Sequence, residues 1–254
     1  AGRVLGQFLS DAVRRNPLLG AREVERVVLC HMRRAPVGGE YVDPISARAF
    51  AGGLRSKALV LDQGPPIEPR APADLRSFWW LRKIARAAAP GVPVRLGAGD
   101  HGRLRGLAAA FPPDAPEAGV LAHRLRRTVQ EFLVLRRLAR QLLLRTRPEF
   151  LYLVVGYAGK EAVIDAAREL GVPSCEFQHG SLGPGHLGYD FAGWTEVPYF
   201  PDRFLAFGPG WLHGLAFPAS CHIHVVGAPH VLAAPAAGAS RRRSRHLLVL
   251  SQGP

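Results

Sequence analysis

From Phe150 to Phe177 the chain reads FLYLVVGYAGKEAVIDAARELGVPSCEF, and no other stretch restricts the fold as tightly. The apolar run Phe150–Val155 suits a strand covered on both faces. Beyond a glycine-bearing turn, Ala162, Val163, Ala166, Ala167 and Leu170 recur on one side of a helix over Lys160–Leu170, which Gly171 and Pro173 terminate. Ser174–Phe177 then forms a second β-rich run. Two strands joined by a helix pair in parallel, so this segment calls for a parallel sheet with helices packed on it.

The same alternation extends along the chain. Strands are expected at Ala58–Leu61, Val92–Leu96, Phe204–Phe207 and His222–Val226, and helices at Asp74–Ala89 and Leu121–Arg147. The fold class that follows is α/β, a doubly wound, Rossmann-like parallel sheet. At 254 residues, 48% of them hydrophobic, the chain can bury one large domain or one domain and part of another. Residues 1–232 fit the first domain. Residues 233–245, rich in Ala, Pro, Gly and Ser and then in Arg, have linker composition. His246–Leu250 with its following glycine turn suits the start of a second α/β domain at 246–254.

The opening AGRVLGQFLSDAVRR has neither an initiating Met nor a long apolar core, and no run approaches the roughly 18 apolar residues of a membrane span. A soluble piece of a longer protein is the expectation. Cys30, Cys175 and Cys221 are odd in number and far apart, which favours a reducing compartment over a disulfide framework. The expected location is the cytoplasm.

The formal charge of +13 asks for an anionic neighbour, whether nucleic acid, a phospholipid surface or a phosphorylated substrate. Because Lys57, Lys83 and Lys160 are the only lysines, the excess is almost all arginine, and Arg usage alongside abundant Ala, Gly and Pro also fits a GC-rich bacterial genome. No zinc-finger spacing, helix-turn-helix or aromatic-basic RNA motif accompanies the charge, so nucleic acid is not the expected partner. The segment Arg124–Arg147 interleaves leucines with arginines. It reads either as a core helix with a solvated basic face or as a helix resting on an anionic membrane.

The residues that carry chemistry gather after the Ser174–Phe177 strand, at the kind of strand end where α/β folds bind ligands. His179 there suits a general base, since an imidazole of ordinary pKa, about 6.5, exchanges protons near neutrality. Gly180 admits close backbone approach and unusual dihedrals, and Gln178 and Ser181 offer neutral hydrogen bonds to hydroxyl groups. His186 and Tyr189 complete the candidate binding set. Asp100, in Gly97-Ala98-Gly99-Asp100-His101-Gly102 after Val92–Leu96, is the rival base, against an ordinary turn-forming Asp. Ser181 lacks the G-x-S-x-G setting of an acyl-transfer nucleophile. His222 and His224 alternate on a strand, yet no Cys or carboxylate cluster joins them or His213 and His230, and no metal is expected. The Gly97–Gly102 loop is not a full dinucleotide fingerprint, and no cofactor is expected.

Several spaced motifs carry a resemblance. Glu176-Phe177-Gln178-His179-Gly180, His186-x-Gly188-Tyr189, Pro201-Asp202-Arg203-Phe204-Leu205-Ala206-Phe207-Gly208-x-x-Trp211, Val225-Val226-Gly227-x-Pro229 and Leu248-Val249-Leu250-Ser251-Gln252-Gly253 resemble the amino-terminal half of bacterial GT-B glycosyltransferases of capsule and lipopolysaccharide biosynthesis. Related polymer-forming transferases with a Trp-His-Gly loop are similar at His179. The resemblance implies an acceptor-side domain facing a donor domain. Its partners would be a nucleotide-sugar donor and a glycan or lipid-linked glycan acceptor, with peripheral contact at the inner membrane face as an option. Two other readings stand beside it: a nucleotide-sugar epimerase of the same architecture, and a noncatalytic basic α/β module.

Overall fold

The computed structural model describes residues 12–37, 40–49, 57–63, 75–110, 117–191 and 194–228. Its centre is a seven-stranded, all-parallel sheet in the order β5-β4-β1-β6-β7-β8-β9. The strands are β1 (Arg26–Leu29), β4 (Ala58–Asp62), β5 (Arg76–Ser77), β6 (Phe150–Val154), β7 (Ser174–Phe177), β8 (Arg203–Ala206) and β9 (His222–Val225). A small antiparallel hairpin, β2 (Ala35–Val37) and β3 (Glu40–Val42), leaves the sheet after β1. The chain runs outward from β1 to β4 and β5, then returns to lay β6 on the other side of β1. That reversal makes a topological switch between β1 and β6, and the fold is Rossmann-like as expected.

The helices follow from the apolar periodicity. Those of the main layer are α2 (Phe78–Ala88), α4 (Ala118–Thr146) and α5 (Glu161–Glu169), with a short α1 (Pro44–Ala49) and an outlying α3 (Ala98–Ala109) beside them. On one sheet face Val27, Leu29, Leu61, Leu151 and Leu153 meet Phe78 and Leu81 of α2, Leu135, Leu142 and Leu143 of α4, and Val163, Ile164 and Ala167 of α5 in one dry cluster. The opposite face uses the alternate residues, with Ile45 of α1 packed against Val28, Val154, Val155 and Phe177. Register makes this division consistent, since Val27 pairs Leu59 and Leu151 while Val28 pairs Val60 and Tyr152.

The Leu121–Arg147 expectation is met by α4, and its apolar stripe is spent on the core: Val134, Leu135, Ala139, Leu142 and Leu143 are all buried. Arginines of this helix are spent too, Arg127 on Glu131 one turn along at 3.1 Å. Arg136 pairs Asp165 and Glu169 of α5, and Arg140 pairs Glu169 at 2.8 Å. Among the described residues no helix is long and apolar enough to cross a membrane.

Three expectations need correction. The helix expected over Asp74–Ala89 starts only at Phe78, because Arg76 and Ser77 ahead of it pair with β4 as the edge strand β5. Val92–Leu96 is not a strand: Pro90 and Pro93 break up the donors a ladder requires, and the segment instead lies along α4, where Gln130 Nε2 donates to the Val92 carbonyl at 2.7 Å. The central strand β1 was not among the expected strands, because Arg-Val-Val-Leu is short and lacks a turn signal of its own. The expected linker at 233–245, the second-domain start at 246–254, Pro229, His230 and the Leu248–Gly253 motif lie outside the described residues.

Candidate functional site

Three loops leave the carboxyl edge of the sheet beside the switch point. The loop after β1 carries His31, the one after β6 carries Tyr157 and Lys160, and the one after β7 carries His179. They converge on the His179 imidazole. Tyr157 Oη lies 3.5 Å from Nε2, Tyr189 Oη lies 3.3 Å from Nδ1, and the His31 ring stacks 5.5 Å away.

Each member is held by its own local chemistry. Asp43, buried before α1, accepts the N–H groups of Ile45 and His31, both at 3.0 Å, and so ties the β1 loop to the start of α1 and fixes His31 in place. The β6 loop bends through Val155 at φ 72°, Ala158 at φ 61° and Gly159 at φ 95°. Left-handed backbone at a β-branched Val is strained, and such strain gathers at functional loops. Gly156 in the same loop has no room for a Cβ, which would come within 2.4 Å of the Glu176 carboxylate. Gly188 is equally confined, by the Tyr157 ring at 2.6 Å.

Beneath the imidazole lies a buried polar network. Lys160 and Glu176 are both fully buried; the Lys160 ammonium donates to the Val154 carbonyl, and Glu176 Oε1 accepts from the Tyr189 hydroxyl. Burial pushes the Lys160 ammonium down and the Glu176 carboxyl up, and each charge partly offsets the other's shift. Glu176 Oε2 faces the Gly156 backbone without a hydrogen bond of full geometry, although that N–H still favours the charged carboxylate. His179 is pushed down to about 4, first by burial and then by His31, Lys160 and His186. Its imidazole is therefore neutral at pH 7, but less basic than the ordinary value the sequence suggested.

The other sequence candidates separate. Gln178 is wholly buried and spends its amide on the chain, donating to the Gly180 carbonyl at 2.8 Å and accepting from the Phe207 N–H at 2.7 Å; it braces the loop instead of presenting itself to a ligand. Gly180 uses neither of its expected freedoms, having no positive φ and no heavy atom within 4 Å of a Cβ position. Ser181 is exposed on the same loop. His186 is half-buried, with its ring 4.8 Å from Tyr189 and 6.0 Å from Tyr157. Tyr189, expected in the binding set, is fully buried and reaches the site only through its hydroxyl.

Asp100 is not part of this assembly. It stands in the first turn of the exposed α3, where its carboxylate accepts the Gly97 N–H at 2.9 Å, the role of a helix cap. His222 and His224 share a face of β9, and among the described residues no group of His, Cys, Asp or Glu suited to a metal ion gathers. The sequence reading missed His31, Tyr157, Lys160 and Glu176 as a set. Their one sequence signal is position, each being in or just after one of the neighbouring strands β1, β6 and β7.

On the far side of the β6 loop, Ala158 and Gly159 floor a groove of about 580 Å³ lined by Trp79, Arg82, Lys83 and Tyr199. Glu131 and Glu161 in its wall counter much of that positive charge. Compared with known protein families, curated proteins and solved structures, the chain matches none.

Proposed function

We propose that this chain is the acceptor-side domain of a glycosyltransferase that extends a bacterial surface polysaccharide, with His179 at its acceptor site. The observation that carries the reading is a neutral, half-buried imidazole at the strand ends beside the switch point, surrounded by Tyr157, Tyr189, His186 and His31. Sugar hydroxyls are recognised by neutral donors and acceptors and by ring faces, and this wall supplies both. A phosphate is a poorer fit, because the backbone donors of the β6 loop already face carboxylates: Gly159 N–H donates to Glu161 at 2.6 Å and Gly156 lies against Glu176. The β1 loop, Cys30-His31-Met32-Arg33-Arg34, has no glycine and enters a hairpin instead of a helix, so it also lacks a dinucleotide cradle.

In this reading His179 Nε2 accepts the hydrogen bond of the acceptor hydroxyl. As the hydroxyl oxygen bonds to the anomeric carbon, the carbon–oxygen bond to the nucleotide leaving group breaks and the hydroxyl proton passes to Nε2. With its basicity lowered, the imidazole contributes first by orienting and polarising that hydroxyl. The membrane contact belongs to the same reading, with the basic face of α4 near lipid-linked acceptors.

Saturation-transfer NMR of the 254-residue chain against capsular and lipopolysaccharide-core oligosaccharides, with NAD and UDP-glucose alongside, tests the assignment. Contact with an oligosaccharide is expected, weakened about tenfold in His179→Asn, as loss of one hydrogen bond to a ligand implies. Binding of NAD with no oligosaccharide bound would replace this reading with a dinucleotide one.

A further inference from the structure

Hydrogen-bond polarity through the buried network restricts His179 further than its position does. Burial raises the Glu176 carboxyl to about 7; above that pH it is a carboxylate, which can only accept, so the Tyr189 hydroxyl proton points at Glu176 Oε1. With its proton committed, the Tyr189 oxygen can meet His179 Nδ1, 3.3 Å away, only as an acceptor. Nδ1 must then carry the hydrogen. A neutral imidazole holds one ring proton, which leaves Nε2 bare on the side of Tyr157.

We propose that Glu176 and Tyr189 are positioning residues that lock His179 in the Nδ1–H tautomer and leave Nε2 as a hydrogen-bond acceptor at the crevice. Lys160 supports the lock by keeping a cation beside the buried carboxylate, and Gly156 supports it by leaving the space a Cβ would take. Among the described residues nothing else at the ring opposes it. Tyr157, at 3.5 Å from Nε2, can turn its hydroxyl proton toward a bare nitrogen or yield to a ligand hydroxyl, whereas an Nε2–H tautomer would set Nδ1 and the Tyr189 oxygen lone pair against lone pair. That Nε2 faces a sugar hydroxyl rests on the function proposed above; the tautomer itself does not.

Two-bond proton–nitrogen correlation spectra of isotope-labelled histidine read the tautomer directly, with His179→Asn identifying the signal. At about pH 8, above the about 7 to which burial raises Glu176 and well above the about 4 of His179, the expected pattern is a protonated Nδ1 and an unprotonated Nε2. Tyr189→Phe, which keeps the ring and its packing, removes the only acceptor for Nδ1–H among the described residues and should convert this single form into a mixture or into Nε2–H. Tyr157→Phe should leave Nδ1–H in place. A protonated Nε2 in the unaltered chain, or an unchanged tautomer in Tyr189→Phe, overturns the proposal. The oligosaccharide titration is independent: a fixed tautomer without glycan binding would refute the proposed function and leave the lock standing, and glycan binding with the wrong tautomer would do the reverse.

Discussion

Half-buried imidazoles make this site sensitive to acid. Burial holds His179 at about 4, below the ordinary 6.5, so the unfolded chain takes up the proton first. Its contribution to stability is whole above about 6.5 and is lost as pH falls toward about 4. His31, lowered by burial as well, acts in the same direction. Glu176 acts in the opposite one, because a carboxyl pushed up favours folding at low pH and loses that contribution as pH rises. Comparing Tm across pH for the parent chain and His179→Asn isolates the histidine: the variant should lose less stability on acidification between those limits. Parallel curves would mean that His179 does not titrate as its surroundings require.

At the scale of elements, α4 has one role its pattern announced and one it left open. Its carboxyl-terminal half is a core helix, and Leu142→Ala should cost about 2–5 kcal/mol in denaturant unfolding. Leu125→Ala, on the exposed amino-terminal half, should stay within about 0.5 kcal/mol. Because the carboxyl-terminal stripe is occupied, affinity of this helix for lipid is expected to come from its arginines. The chain should bind anionic vesicles at low salt and release them at about 0.15 M, where screening shortens the reach to about 8 Å, and it should ignore neutral vesicles. Equal binding to both would show that apolar side chains insert. The β6 loop is the other informative element, since its two strained residues flank Tyr157 and one short segment both reaches His179 and lines the neighbouring groove.

Across the whole molecule, burial falls from the centre of the sheet to one edge. Val27, Val28 and Leu29 of β1 and Leu151, Leu153 and Val154 of β6 are at most 1% exposed, whereas Ile223 and Val225 of β9 are 39% and 54% exposed. Amide exchange should follow that gradient, slowest in β1 and β6 and fastest in β9, because opening an edge strand exposes little apolar surface. Protection in β9 equal to that in β1 would show that the edge is covered in solution.

The β6-α5-β7 unit was legible in the sequence because its determinants are local: apolar runs, a helical period and a Gly-Pro stop, all within one stretch. The place of His179 at a strand end was legible for the same reason. Tertiary structure alone decided what surrounds it. It made Arg26–Leu29 the strand at the switch point and brought His31 across to His179. It also buried Tyr189 below the ring, spent the Gln178 amide on the chain and turned Asp100 into a helix cap. Each of these depends on which loops meet at one sheet edge. Periodicity reports which face of an element is covered, while the partners of a polar side chain are set by chain segments far apart in sequence.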